Sequence, residues 1–331
     1  MKMITVPRKE RRNAALKAWS TIRLNRIREI KAKNESIEDY IFDRDSRKVE
    51  HGNYVISIPL IKPSRLTWVE KGGVGKELSD GWSLNFAIGC THACRFCYVD
   101  SIHKRYGQKR AGNIVNRPWG NYFLIPSNIE QAIRETNWSK WEGLEAMMSS
   151  THDPYLPQLL PITKKILEAA LPAGVRLCIQ TRSPLVLKDL PLLAKYRDQV
   201  RLQVSVATMD RKLASIIEPR VAPPESRLRV LEEASRNGID TGVILAPIFP
   251  PVSLRPDVRH DMELLAEEVG KIAPNHIYGE SLHIRGSNMS EIEISLGMRI
   301  EIGNFDSVAE KVFHSALRKH GLKGRWWKER K

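Results

Sequence analysis

A chain of 331 residues, 42% hydrophobic and 27% charged, can bury a sizeable core under a solvated surface, as one large domain with extensions or two modest ones. No apolar stretch nears the roughly 18 residues a membrane helix needs, and the N-terminal MKMITVPRKERRNAALKAW has no signal-type apolar run, so a cytoplasmic protein without a membrane partner is expected. The net charge of +15 sits at the ends: residues 1–34 carry eleven Lys/Arg against two Glu, residues 318–331 seven against one, and the body between is neutral in sum. Two basic ends on a neutral body point to a polyanionic partner, most commonly nucleic acid.

In chain order, residues 8–33 read as a charged, weakly amphipathic helix, with Leu16, Trp19, Ile27 and Ile30 near one face. Residues 54–61 are strand-like and end at Pro63, and the Gly-rich stretch 69–80 reads as a connector without phosphate-loop spacing. Strand and helix patterns then alternate. Strands are expected at 83–88, 144–149, 175–181, 200–208, 241–247 and 276–283. Helices are expected at 127–136 (capped by Ser127), 159–170, 184–196, 210–218, 224–237 and 258–272. Such alternation predicts an α/β fold with a parallel sheet or barrel. The expected division is a basic helical extension and strand at 1–68, a barrel at 80–290, and a C-terminal helical segment with a basic tryptophan-containing tail at 291–331.

Two strands show an unusual face. Arg176, Cys178, Gln180 and Arg182 share one side of their strand, and Gln203, Ser205 and Ala207 one side of the next. A sheet covered by helices on both faces would be apolar on both. A partly open barrel with a polar lumen fits this pattern better than a tightly filled one.

Three of the four cysteines, Cys90, Cys94 and Cys97, crowd into GCTHACRFC at the end of the 83–88 strand. The spacing C-x3-C-x2-C suits metal binding rather than a disulfide framework. Structural zinc needs a fourth ligand, for which His92, His103 and the remote Cys178 are available, but a second paired motif is missing. A 4Fe–4S cluster on three cysteines instead leaves one iron open to the amine and carboxylate of S-adenosylmethionine. Reduction of the sulfonium there yields a 5′-deoxyadenosyl radical, which abstracts hydrogen from substrate.

C-x3-C-x2-C closing the first barrel strand resembles the signature of the radical SAM superfamily. Within it, GCTHACRFCYVDS, THDPYLPQ, TRSPLVLKDLPLL, VSVATMD, EPRVAPPESRLRVLEEASRNGI and LAPIFPP resemble, in order, the spore photoproduct lyase-like (DNA repair photolyase-like) branch over about residues 83–285. The resemblance implies an open, partial parallel β/α barrel of radical SAM type with basic extensions. It implies cluster ligation by Cys90, Cys94 and Cys97, cofactor contacts from Phe96, Ser150, Thr151, Arg182 and Ser205, and either cofactor contacts or a structural ion pair from Glu218 and Arg227. Tyr98 matches a tyrosine of the lyase's radical relay, and a flavodoxin or ferredoxin is implied as electron donor. One departure matters. The lyase places a hydrogen-donating cysteine after its second strand, where this chain has Ser149, Ser150 and Thr151. Cys178, whose strand phase points it to the polar face, is the substitute donor.

The expected function is therefore a lyase-like radical SAM enzyme acting on nucleic acid, such as a DNA lesion. The alternatives are radical modification of a peptide or small metabolite, and a non-enzymatic zinc protein that binds nucleic acid. HKRYGQKR (103–110) and the adjacent Trp326 and Trp327 in the basic tail suit phosphate contacts and base stacking.

Overall fold

The computed structural model describes residues 49–63 and 79–327; the expected helix at 8–33 and nearly all of the connector at 69–80 lie outside them. An eight-stranded sheet carries the fold, in the order β10–β9–β8–β7–β6–β5–β3–β2. Its central strands are β3 (Trp82–Leu84), β5 (Glu145–Met148), β6 (Arg176–Thr181), β7 (Val200–Ser205), β8 (Asp240–Ile248) and β9 (His276–Ser281), all parallel. β2 (Ile61–Pro63) adds an antiparallel strand at one edge and β10 (Arg325–Trp326) a parallel one at the other. The two edges do not pair, so the barrel is open, as expected. A separate pair, β1 (Glu50–Tyr54) with β4 (Tyr122–Pro126), flanks it.

Helices Leu160–Ala170, Pro224–Arg236, Val258–Ile272 and Phe305–Lys319 cover the outer face. Each buries an apolar stripe, such as Leu228, Val230, Leu231 and Ala234, against strand residues including Leu177, Ile179, Leu202 and Val204. Period-two alternation sends the opposite residues inward. Those inner residues interrupt the expected polar lumen with an apolar layer. Met147, Cys178, Ile244, Ala246, Tyr278 and Trp327 form an apolar cluster across it, with the Gln180–Gln203 pair above and the ion pairs of Arg201 with Glu145 and Asp240 at the N-terminal strand ends.

Several expected elements differ. The expected strand at 54–61 is instead the link between two strands of different sheets, Tyr54 ending β1 and Ile61 opening β2; Pro59 has no N–H for a ladder, and the Asn128 side chain takes both backbone groups of Ile56 at 2.9 Å. The strand at 83–88 stops at Leu84, and Ile88 instead bridges Leu124 of β4, which sequence reasoning missed. Ser127 does not cap its helix; its hydroxyl donates to the Tyr54 carbonyl. The helix at 184–196 is a 3-10 turn, Pro184–Asp189, followed by the short helix Leu190–Lys195. No helix among the described residues is long and apolar enough to cross a membrane.

Candidate active site

The cysteine loop leaves the sheet at the C-terminal end of β3, where parallel barrels gather their chemistry. Gly89 makes the turn possible: its φ is +88°, and a Cβ there would lie 2.4 Å from the Tyr122 carbonyl oxygen. Gly120 likewise lets Ala93 close in, since its Cβ would lie 2.3 Å from that of Ala93. The Arg95 N–H donates to Ile217 at 2.8 Å and ties the loop to the far side of the barrel. Cys90 and Cys94 are buried and Cys97 half-buried, all as free thiols.

Burial pushes Cys90 up to about 12, with Asp153 and Cys97 adding to it, while the N–H groups of Asp153 and His92 pull the other way. Burial, reinforced by Cys94, pushes Cys97 up to about 12 as well, and Cys94 is also raised, chiefly by burial. Three such thiols ionise together only when cationic charge is supplied to them, as metal ligation does. The donor set decides which metal centre fits. His92 turns its Nδ1 to Asp153 at 3.4 Å, and His103 its Nδ1 to the Tyr122 hydroxyl at 3.3 Å. Cys178 lies in the lower lumen. Among the described residues, no three His, Cys, Asp or Glu side chains gather around a point that a single ion could occupy. The expected fourth zinc ligands are thus committed elsewhere, and a three-thiolate set suits a cluster with one open iron.

Arg182, just past β6, reaches over this loop. Its Nε donates to Glu218 Oε1 at 2.9 Å, its backbone N–H to Asp153 Oδ2 at 2.7 Å, and its guanidinium stands 5.3 Å from the centre of the Phe96 ring. Glu218 also receives Arg227 Nη2 at 2.6 Å, and Arg227 Nη1 donates to the Ser205 carbonyl at 2.6 Å. Burial pushes the Glu218 carboxyl up, but the two guanidiniums outweigh it and hold it below its ordinary value. Phe96, Arg182, Ser205, Glu218 and Arg227 therefore form one assembly at the strand ends. Arg227 is fully buried, so its part is to fix Glu218, while a quarter of the Arg182 side chain remains exposed.

On the other side, the Tyr98 hydroxyl donates to the Ser150 carbonyl at 3.0 Å. Ser150 hangs on Asn85, which the sequence reading missed. Asn85 Oδ1 accepts from the Ser149 hydroxyl at 2.9 Å and from the Ser150 N–H at 3.0 Å, and its Nδ2 donates to the Ser150 hydroxyl at 2.9 Å. Ser149 also meets His152 Nδ1 at 2.9 Å, and the Thr151 N–H donates to the Ser149 hydroxyl at 3.2 Å. An asparagine just past an apolar strand was the available signal, since such side chains bond nearby backbone groups in place of a ladder.

Asp153 is the second missed residue. It accepts from the Thr181 hydroxyl, the Arg182 N–H and the Tyr155 N–H at 2.7–2.8 Å, tying the THDPY segment to β6. Cys178 does face inward, as its strand phase predicts, but it is fully buried among Met147, Ile244, Ala246, Tyr278 and Trp327. Its thiol is raised, chiefly by burial. The stacking role expected for the tail tryptophans is overturned. Trp326 packs on Phe313, and Trp327 stacks on Tyr278 at 4.8 Å inside the lumen, while its backbone N–H donates to the Gly279 carbonyl.

Comparison with known proteins agrees with this fold. The Radical SAM superfamily description matches residues 84–269. The uncharacterized protein ORF301 of Acidianus two-tailed virus is 56% identical over 296 residues, covering 89% of this chain and 98% of its own. A Radical SAM Nalpha-GlyT isomerase of Pseudomonas phage M6 is 24% identical over 190 residues, 57% of this chain and 36% of its own. Spore photoproduct lyase complexed with dinucleoside spore photoproduct shares the fold, with a TM-score of 0.56 at 15% identity over 89% of this chain and 85% of that one. A mutant of that lyase with bound AdoMet and dinucleoside spore photoproduct superposes with a TM-score of 0.58 at 15% identity over 90% and 86%. The chain belongs to the radical SAM superfamily.

Proposed function

We propose that this radical SAM enzyme acts on nucleic acid. Cys90, Cys94 and Cys97 would hold a 4Fe–4S cluster, with S-adenosylmethionine beside its open iron. The cluster supplies one electron for reductive cleavage of S-adenosylmethionine, the source of the radical chemistry. Arg182, oriented by Glu218 and leaning over Phe96, is the cation available to the methionine carboxylate, and its fork suits a bidentate pair. Ser205 ends β7, and Ser150 and Thr151 follow β5; these are the hydroxyls proposed to face the cofactor. Tyr98, whose O–H is held by the Ser150 carbonyl and which stays partly exposed, is the hydrogen donor best placed at the mouth. Cys178 lies sealed in the lower lumen and is the weaker candidate. The chain's one cysteine outside the loop leaves no second cluster to supply electrons, so a flavodoxin- or ferredoxin-like donor is the partner this chemistry requires.

The observation that carries the substrate reading is the charge partition: a neutral body whose excess lies wholly in residues 1–34 and 318–331. One likeness supports it: two similar lyase structures hold a dinucleoside photoproduct, and lyase-like repair of a DNA lesion is the chemistry proposed. The Ser149–Ser150–Thr151 wall lacks a thiol, so the product-forming step differs from one that uses a cysteine there.

The test is anaerobic reconstitution and reduction, then measurement of 5′-deoxyadenosine with and without ultraviolet-irradiated DNA. Stimulation by DNA, with deuterium passing from labelled DNA into the 5′-deoxyadenosine, is expected. Cleavage indifferent to nucleic acid but stimulated by peptide or metabolite fractions would replace this substrate with one of those.

A further inference from the structure

Exposed apolar surface rimmed by charged residues marks an interaction site where it is contiguous. Among the described residues, Tyr106 is 64% exposed, Ile284 63% and Tyr98 41%. The fold brings the segments that carry them together. Gly286 sits so close to Ser101 that a Cβ on it would lie 2.5 Å from the Ser101 Cβ. Ser287 Oγ lies 3.3 Å from Asp100 Oδ2, and Asn288 Nδ2 donates to the Phe96 carbonyl at 3.3 Å. The loop after β9 is thereby fastened to the helical run that follows the cysteine loop. One turn beyond Ser101 stand Lys104, which pairs with Asp100 at 2.7 Å, and Arg105, whose guanidinium lies 5.1 Å from the centre of the Tyr106 ring. Arg285 stands in the same fastened loop, its backbone N–H donating to Asn288 Oδ1 at 2.9 Å.

We propose that Arg105, Tyr106, Ile284 and Arg285 form a docking rim for an unpaired nucleic-acid strand at the barrel mouth. This rests on the nucleic-acid reading above and deepens it. The chemistry of the rim is what selects the partner. Two guanidiniums address phosphates, and one ring and one branched aliphatic side chain offer surfaces for unstacked bases. The lower lumen is closed by Tyr278 and Trp327, so substrate atoms reach the cofactor only through the mouth. A base locked in a duplex cannot enter such a mouth, whereas an unpaired one can. An acidic peptide would satisfy the arginines but leave Tyr106 and Ile284 without flat partners.

Anisotropy of a fluorescein-labelled single-stranded 15-mer DNA, and of a hairpin duplex, measures binding to the full chain between about 50 and 200 mM salt. Tighter binding of the single strand is expected. R105E should weaken it and lower the salt slope by about one unit. The double variant Y106S/I284S should weaken single-strand binding roughly tenfold or more at an unchanged slope. These exposed substitutions should leave the thermal midpoint unchanged, which separates loss of contact from loss of fold. Variants that bind the single strand as the parent does would overturn the rim, as would a duplex bound at least as tightly. If the parent shows no salt-dependent binding to either probe, the nucleic-acid reading itself falls.

Discussion

Arg182 and Arg227 share one carboxylate: Glu218 takes Arg182 Nε on Oε1 at 2.9 Å and Arg227 Nη2 on Oε2 at 2.6 Å. The deeper arginine anchors the acid, and the acid aims the shallower arginine at the mouth. Replacing Glu218 by Ala leaves the Arg227 charge buried without its partner, a change that typically costs about 3–5 kcal/mol. E218Q keeps the shape and removes the charge. It should lose less stability yet raise the apparent KM for S-adenosylmethionine about tenfold, because Arg182 is no longer held. Chemical unfolding and steady-state cofactor cleavage check the two effects separately.

Tyr98 is aimed by the Ser150 carbonyl, and Ser150 by Asn85. Y98F should retain the cluster and cofactor cleavage but lose most of the turnover to final product. N85A should do the same to a lesser degree, and it should also destabilise by about 1–3 kcal/mol through the unpaired groups it leaves. Comparing 5′-deoxyadenosine with final product in each variant is the measurement. Equal loss of both in Y98F would reassign the tyrosine to cofactor binding.

His152 and His103 are buried as neutral rings, pushed down to about 3 and about 4 by burial, with His103 adding to the effect on His152. In the unfolded chain both take a proton near pH 6.5. Their contribution to stability is therefore full above that pH and is lost as pH falls from about 6.5 towards 4 and 3. At pH 5 each should lower stability by roughly 2 kcal/mol relative to pH 7.5. H103F and H152Q should each flatten this dependence in thermal unfolding followed across the range.

Trp327 closes the lumen floor. W327A should destabilise by about 3–5 kcal/mol, as large-to-small core changes do. It should leave single-strand affinity, like its salt slope, unchanged. Weaker single-strand binding with intact stability would restore the stacking role that the burial of this side chain contradicts.

What could be read from the residues alone divides along physical lines. Strands 176–181 and 200–205 and helices 224–236 and 258–272 follow from simple periodicity, since long apolar patterns report the face they bury. The cysteine triad is legible because its spacing is short-range chemistry. β4 and the tail strand β10 escaped. YFLIP carries no alternation, and a two-residue edge strand is defined by its neighbour Gly279 rather than by its own sequence. Asn85 and Asp153 escaped because each acts through partners more than 25 residues away, such as Ser150 and Thr181. The polar face of β6 and β7 was legible as a lumen face, but the aromatic pair that fills its lower part comes from β9 and the C-terminus.

The central claim is that the loop from Cys90 to Cys97 carries a cluster with one iron free of the protein. Electron paramagnetic resonance of the anaerobically reconstituted, reduced chain, with and without S-adenosylmethionine, tests it most directly. The account predicts about four irons and four sulfides per chain, a reduced-cluster signal that changes when the cofactor is added, and loss of that signal in C90A, C94A or C97A. Purified chain holding a single zinc and no sulfide, or a cluster signal indifferent to the cofactor, would contradict it.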